Sequence, residues 1–94
     1  MLKYDGATPM AKAIVLTAHA QVRLRDRHID PKWIEQTVLD PDWSEVDPAD
    51  PAVDRRFRAI PQFGGRVLRV ACVETNSSIR VISAMFDRNA RRKP

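Results

Sequence analysis

Apolar positions along the chain mark out the elements before any composition is counted. Lys12 to Thr17 is β-branched and apolar, which predicts a first strand. A helix follows from about Ala18 to Arg27, with Thr17 as its N-cap. At 100° per residue this helix has two polar stripes: His19, Arg23, Asp26 and Arg27 form one, and Gln21, Arg25 and His28 the other. Ala20 and Leu24 fill one gap between them, and Ala18 and Val22 the other. One stripe is therefore expected to face solvent and the other a groove or a partner.

Asp30-Pro31 is a helix start, an Asp cap followed by Pro at the first helical position. Ile34 and Val38 give the second helix its inner face, and Asp40-Pro41 ends it. His28 falls at the joint between the helices, where a positive φ is expected. Trp43-Ser44-Glu45-Val46 reads as a short strand and 47–51 as an exposed turn or loop. Three strands are expected next, at about 55–60, 67–74 and 79–86, turning at Gly64-Gly65 and at Thr75-Asn76-Ser77-Ser78. The order β-α-α-β-β-β predicts an α+β fold of two layers, two N-terminal helices packed on an antiparallel β-meander. Residues 1–11 read as a flexible arm, 12–87 as a single domain and 88–94 as a basic tail.

Composition changes this picture little. The chain is 44% apolar and 30% charged, ordinary for one small globular domain. No apolar run approaches the roughly 20 residues that span a bilayer, and the N-terminus lacks the apolar core of an export signal. A cytoplasmic protein with no membrane contact is expected. Cys72 lies among apolar neighbours and reads as a buried thiol in a reducing compartment. No metal site and no cofactor are expected, because His19 and His28 have no grouped partners and there is no Cys pair.

Charge changes it more. The net +4 resides in the tail: without Arg88, Arg91, Arg92 and Lys93 the chain carries 12 basic and 12 acidic side chains. Seven acids and no Lys or Arg lie between Trp33 and Asp54, whereas 23–27 and 55–69 hold eight arginines against Asp26 alone. A basic face with a basic tail is the footprint of a polyanion binder. His19, Arg23 and Arg27, each four residues apart, join a proton carrier to two anion grips. An equally direct reading has His19 fixing the strand–helix corner and the two arginines pairing with Asp26 or with acids of 40–54. Trp33 and Trp43 read as core or interface residues.

The pattern His-Ala-x-x-Arg-x-x-x-Arg-x-Ile, here His19-Ala20, Arg23, Arg27 and Ile29, resembles that of a family of unknown function within the RelE/ParE-like toxin superfamily. The apolar last strand ending in a basic tail is similar to that of BrnT-type toxins. The resemblance covers about residues 13 to 92, and departs at His28, where the family often has Gly. It implies a RelE-like fold and the toxin of a toxin–antitoxin pair, with an antitoxin and RNA as partners, the RNA on or off the ribosome. Many members of that superfamily cut mRNA without a metal and the ParE branch targets gyrase, so the resemblance alone does not choose the activity. As a metal-independent ribonuclease, the chain is expected to use His19, Arg23 and Arg27 as catalytic residues and Arg66, Arg69, Arg88, Arg91 and Arg92 as RNA-binding residues. One histidine supplies only half of an acid–base pair. Two other readings remain open on the same fold: a non-catalytic protein- or nucleic-acid-binding domain, and a gyrase-directed toxin. Oligomeric state is not legible.

Overall fold

A computed structural model describes residues 12–91; the predicted arm and Arg92 lie outside the described residues. Strand β1 (Ala13–Leu16) leads into helices α1 (Ala18–Asp26) and α2 (Pro31–Leu39). Strands β2 (Trp43–Asp47), β3 (Asp50–Ile60), β4 (Arg66–Glu74) and β5 (Ser78–Phe86) follow, with a short 3-10 turn at Pro61–Phe63. The sheet order is β1-β5-β4-β3-β2. Strands β2 to β5 form the expected antiparallel meander, and β1 adds one parallel pairing, Ala13 to Leu16 against Ser78 to Val81.

Local chemistry explains both helices. Thr17 Oγ1 accepts from Ala20 N at 3.1 Å and starts α1. At its end His28 takes φ 53°, so Ile29 N reaches Leu24 O at 2.9 Å and His28 N reaches Arg25 O at 3.3 Å. That paired closure is a Schellman motif with histidine in the left-handed position, and it brings Ile29 back into the core beside Leu24. Asp30 Oδ1 caps α2 by accepting from Lys32 N at 2.9 Å. The far end of α2 is closed from the sheet: Arg56 donates to Val38 O at 2.9 Å and Arg58 to Asp40 O at 2.6 Å.

The core lies between the helices and one face of the sheet. Ala20, Ile29, Ile34 and Val38 meet Ile60, Leu68, Val70, Cys72, Ile79, Val81 and Ala84. On β5 the apolar alternation breaks after Val81 and resumes at Ala84, because a bulge places Val81 opposite Cys72 and Ser83 opposite Ala71. Burial pushes the Cys72 thiol up from its ordinary range, leaving little thiolate. Only the Ala20–Leu24 flank of α1 packs inward, and Val22 on the other flank stays exposed. The residues of both polar stripes of α1 are exposed, and Arg27 of the first stripe lines a depression.

Strand β3 starts five residues earlier than the expected 55–60, at Asp50, so the expected loop at 47–51 shrinks to a tight turn at Pro48 and Ala49. The Asp47 carboxylate holds that turn, accepting from Ala49 N at 2.8 Å and pairing with Arg55 at 3.2 Å. Those contacts, the Ala49 N–H first, hold Asp47 below the usual carboxylate range. Among the described residues the opposite face of the sheet carries no helix. There Trp43 lies flat on Phe57, with centroids 4.7 Å apart and planes 3° from parallel.

Candidate nucleic-acid interface

The arginines concentrated in 55–69 do not form a single face. Alternation along β3 sends Arg55 to the open side of the sheet and Arg56 and Arg58 to the helix side. Each finds acids. Arg55 pairs with Asp47 at 3.2 Å, Arg58 with Asp40 at 3.3 Å, and Arg56 with Glu74 at 2.6 Å and Asp54 at 3.4 Å. Glu74 is held below its ordinary range first by Lys12, 2.6 Å away, and then by Arg56. Asp40 and Asp47 of the acid-rich stretch before β3 thus neutralise two of its arginines, and Asp54 on β3 and Glu74 on β4 the third.

Arg69 goes to the open side, in line with Phe57 on one neighbouring strand and Met85 on the other. It pairs with Asp87 at 3.1 Å. The strand therefore does not carry Arg69 to the helix layer where His19, Arg23 and Arg27 stand.

The predicted catalytic stripe divides. Arg23 Nε donates to His19 Nε2 at 3.4 Å, and both side chains are exposed. Arg27 leaves them, donating from Nη1 to Ala84 O at 2.8 Å. Its Cα lies about 12 Å along the helix axis from that of His19, given a rise of about 1.5 Å per residue. Strand β1 pairs with β5 only as far as Val81, so Arg27 supplies a donor to backbone that β1 leaves uncovered.

What the fold does bring together is a set of arginines at the far end of the sheet. A depression of about 330 Å³ is lined by Arg27, Phe63, Arg66, Met85 and Phe86. Arg66 also lines an adjoining depression of about 520 Å³ with Gly64, Gly65, Val67, Asp87, Arg88, Ala90 and Arg91. Arg91 in turn borders a third, about 290 Å³, that reaches Arg69, Arg55 and Phe57 on the open side. An arc of guanidinium groups thus runs from α1 around the end of the sheet. Arg27, Arg66, Arg88 and Arg91 have no acidic ion-pair partner among the described residues.

Of the predicted RNA-binding residues, Arg66, Arg88 and Arg91 lie on this arc, and Arg69 lies at its paired end. Arg27 belongs with them; His19 and Arg23 line none of these three depressions.

Sequence reasoning missed the aromatic part of the arc. Phe63 and Phe86 stack with centroids 4.6 Å apart, and Trp33 packs against both, at 5.6 and 6.0 Å. The signal was present in Gly64-Gly65. Both take positive φ, 66° and 74°, and fold the turn so that Phe63 stands beside the end of β5.

This chain belongs to a family of domains of unknown function, DUF4258, whose model matches residues 16–86, from the end of β1 to the end of β5. No curated protein and no solved structure matches it. Among the described residues, no helix is long and apolar enough to cross a membrane.

Proposed function

We propose that this chain is the toxin-like component of a toxin–antitoxin pair and acts on RNA in the cytoplasm, with the arginine arc as its RNA-binding surface. The observation that carries the reading is the arc itself. Where every arginine of β3 is matched to a carboxylate, Arg27, Arg66, Arg88 and Arg91 have no such match among the described residues, although Asp87 lines two of the depressions. Unmatched guanidinium groups set along adjoining depressions suit a chain of phosphates, each of which two parallel N–H donors can grip. The order of helices and strands agrees with the resemblance to RelE-like toxins. An antitoxin that covers the arc would hold the protein inactive.

The contact between Arg23 and His19 favours a second step, cleavage without a metal. The 2′-oxygen of RNA attacks the adjacent phosphorus, its proton passes to a base, and the 5′-oxygen leaves with a proton from an acid. The products are a 2′,3′-cyclic phosphate and a 5′-hydroxyl. His19 carries one of the two proton transfers, and Arg23 beside it offsets charge on the phosphoryl oxygens. RNA held by the arc reaches His19 only by running along the exposed face of α1.

Expression of the chain alone, and with its genomic neighbour, tests the proposal through growth and total RNA. Growth arrest with RNA loss, relieved by the neighbour, is the expected result. Normal growth with intact RNA, in folded protein, overturns it. Arrest with intact RNA that His19→Ala does not relieve leaves a binding domain without catalysis, and arrest with DNA damage identifies a gyrase-directed toxin. If cleavage occurs, His19→Ala lowers its rate by about 10²- to 10⁴-fold with the fold intact.

A further inference from the structure

Phosphate binding leaves the middle of the arc unexplained. Phe63 stands on the 3-10 turn before Gly64 and is 39% exposed, although Phe86 and Trp33 pack around it. The Arg66 guanidinium lies over both phenyl rings, its carbon 5.0 Å from the Phe63 centroid and 5.2 Å from that of Phe86. Arg27 and Met85 complete the depression, whose lining contains no carboxylate. Its volume, about 330 Å³, sits at the small end of the roughly 300–1,000 Å³ of small-ligand pockets.

We infer that this depression is a subsite for one unpaired base of a single-stranded RNA, stacked on the surface made by Phe63 and Arg66. The inference rests on the RNA-binding reading above and adds the base to it. A base offers a flat π-face between two phosphates. The depression offers aromatic and guanidinium planes between Arg27 on one side and the Arg88–Arg91 depression on the other. Bases in a duplex are already stacked on one another, so the subsite takes a single strand. A peptide would need its own backbone donors and acceptors met. Here carbonyls at the β5 edge are already taken within the chain, Val81 and Ile82 by Thr17 and Ala84 by Arg27.

The test compares a short fluorescein-labelled single-stranded RNA with the same strand made abasic, each titrated against the whole chain by anisotropy. Phe63→Ala is expected to weaken binding of the intact strand roughly 5- to 150-fold and to leave the abasic strand unaffected, while Phe63→Trp binds as wild type or tighter. Arg88→Ala weakens both strands alike. Phe63→Ala that retains the wild-type circular dichroism yet weakens both strands equally, or neither, overturns the stacking subsite and leaves the RNA-binding reading standing. A wild-type chain that binds neither strand overturns that reading, and the subsite with it. The corresponding DNA strand bound more tightly than the RNA keeps the stacked base but removes RNA as its source. A peptide that binds through Phe63 where no nucleic acid binds overturns the inference.

Discussion

Arg27 reaches across the sheet boundary to donate to the Ala84 carbonyl at 2.8 Å, joining α1 to the half of β5 that β1 does not pair. A residue expected to hold phosphate therefore also holds the fold. Arg27→Met is expected to lower the unfolding free energy by about 1 kcal/mol, a modest value because the side chain is largely exposed. Arg23→Met, which loses only the contact to His19, should stay within about 0.5 kcal/mol of wild type. Urea denaturation of the two variants side by side checks both values.

Two phenylalanines separate stability from recognition. Phe57 is 4% exposed beneath Trp43, and Phe57→Ala should cost roughly 3–4 kcal/mol. Phe63 is 39% exposed, and Phe63→Ala should cost under about 1.5 kcal/mol, since much of its surface already meets water. Thermal melts give the order: a Phe63→Ala chain melting as low as Phe57→Ala would make Phe63 a core residue.

Much of the fold was legible because local signals and tertiary packing agree. Asp30-Pro31, the Thr17 cap and the turn at Gly64-Gly65 each encode a boundary in a few adjacent residues. His28 at φ 53° was legible for the same reason, since the joint demands a left-handed residue and histidine tolerates it. Pairings between distant residues were not legible. Nothing in Ala13-Ile14-Val15-Leu16 names β5 as its partner, and the bulge near Ile82 hides which residues of β5 face inward. The site divided along the same line. Spacing placed His19, Arg23 and Arg27 on one stripe, but Arg27 turns to a carbonyl 57 positions away. Arginine counts along 55–69 showed the charge, and only strand pairing showed which charges acids neutralise.

The ion pairs of Glu74 predict acid sensitivity with a definite sign. Lys12 and Arg56 hold its carboxyl below its ordinary value of about 4.5, so the folded state favours the ionised form. That contribution is fully present above the ordinary value and fades as pH falls through the lowered one. Glu74→Gln should therefore flatten the acid limb of the stability curve, and its deficit relative to wild type should shrink toward lower pH. Chemical denaturation at a series of pH values measures it. A deficit that is the same at every pH would assign the effect to packing.

Salt provides a count of the arc. Four phosphates held by Arg27, Arg66, Arg88 and Arg91 predict a slope of roughly −3 in log affinity against log salt for a single strand. Arg91→Ala should reduce its magnitude by about 0.7, whereas Arg69→Ala, already matched to Asp87, should change it little. Titrations over a salt series give both slopes. Equal changes for the two variants would mean that the Asp87 pair opens on binding.

The parallel pairing of β1 with β5 joins residues made before both helices to residues made after every other strand of the sheet. Thr17 N bonds to Val81 O at 3.0 Å, and α1 rests on β5, so both await a strand that ends at Phe86. As the chain leaves the ribosome, α2 and the β2–β3 and β3–β4 hairpins can form from near neighbours while β1 and α1 have no surface to dock on. Phe86 completes the aromatic cluster as well, so the stacking surface and the closed fold mature at the same moment. A nascent chain has neither.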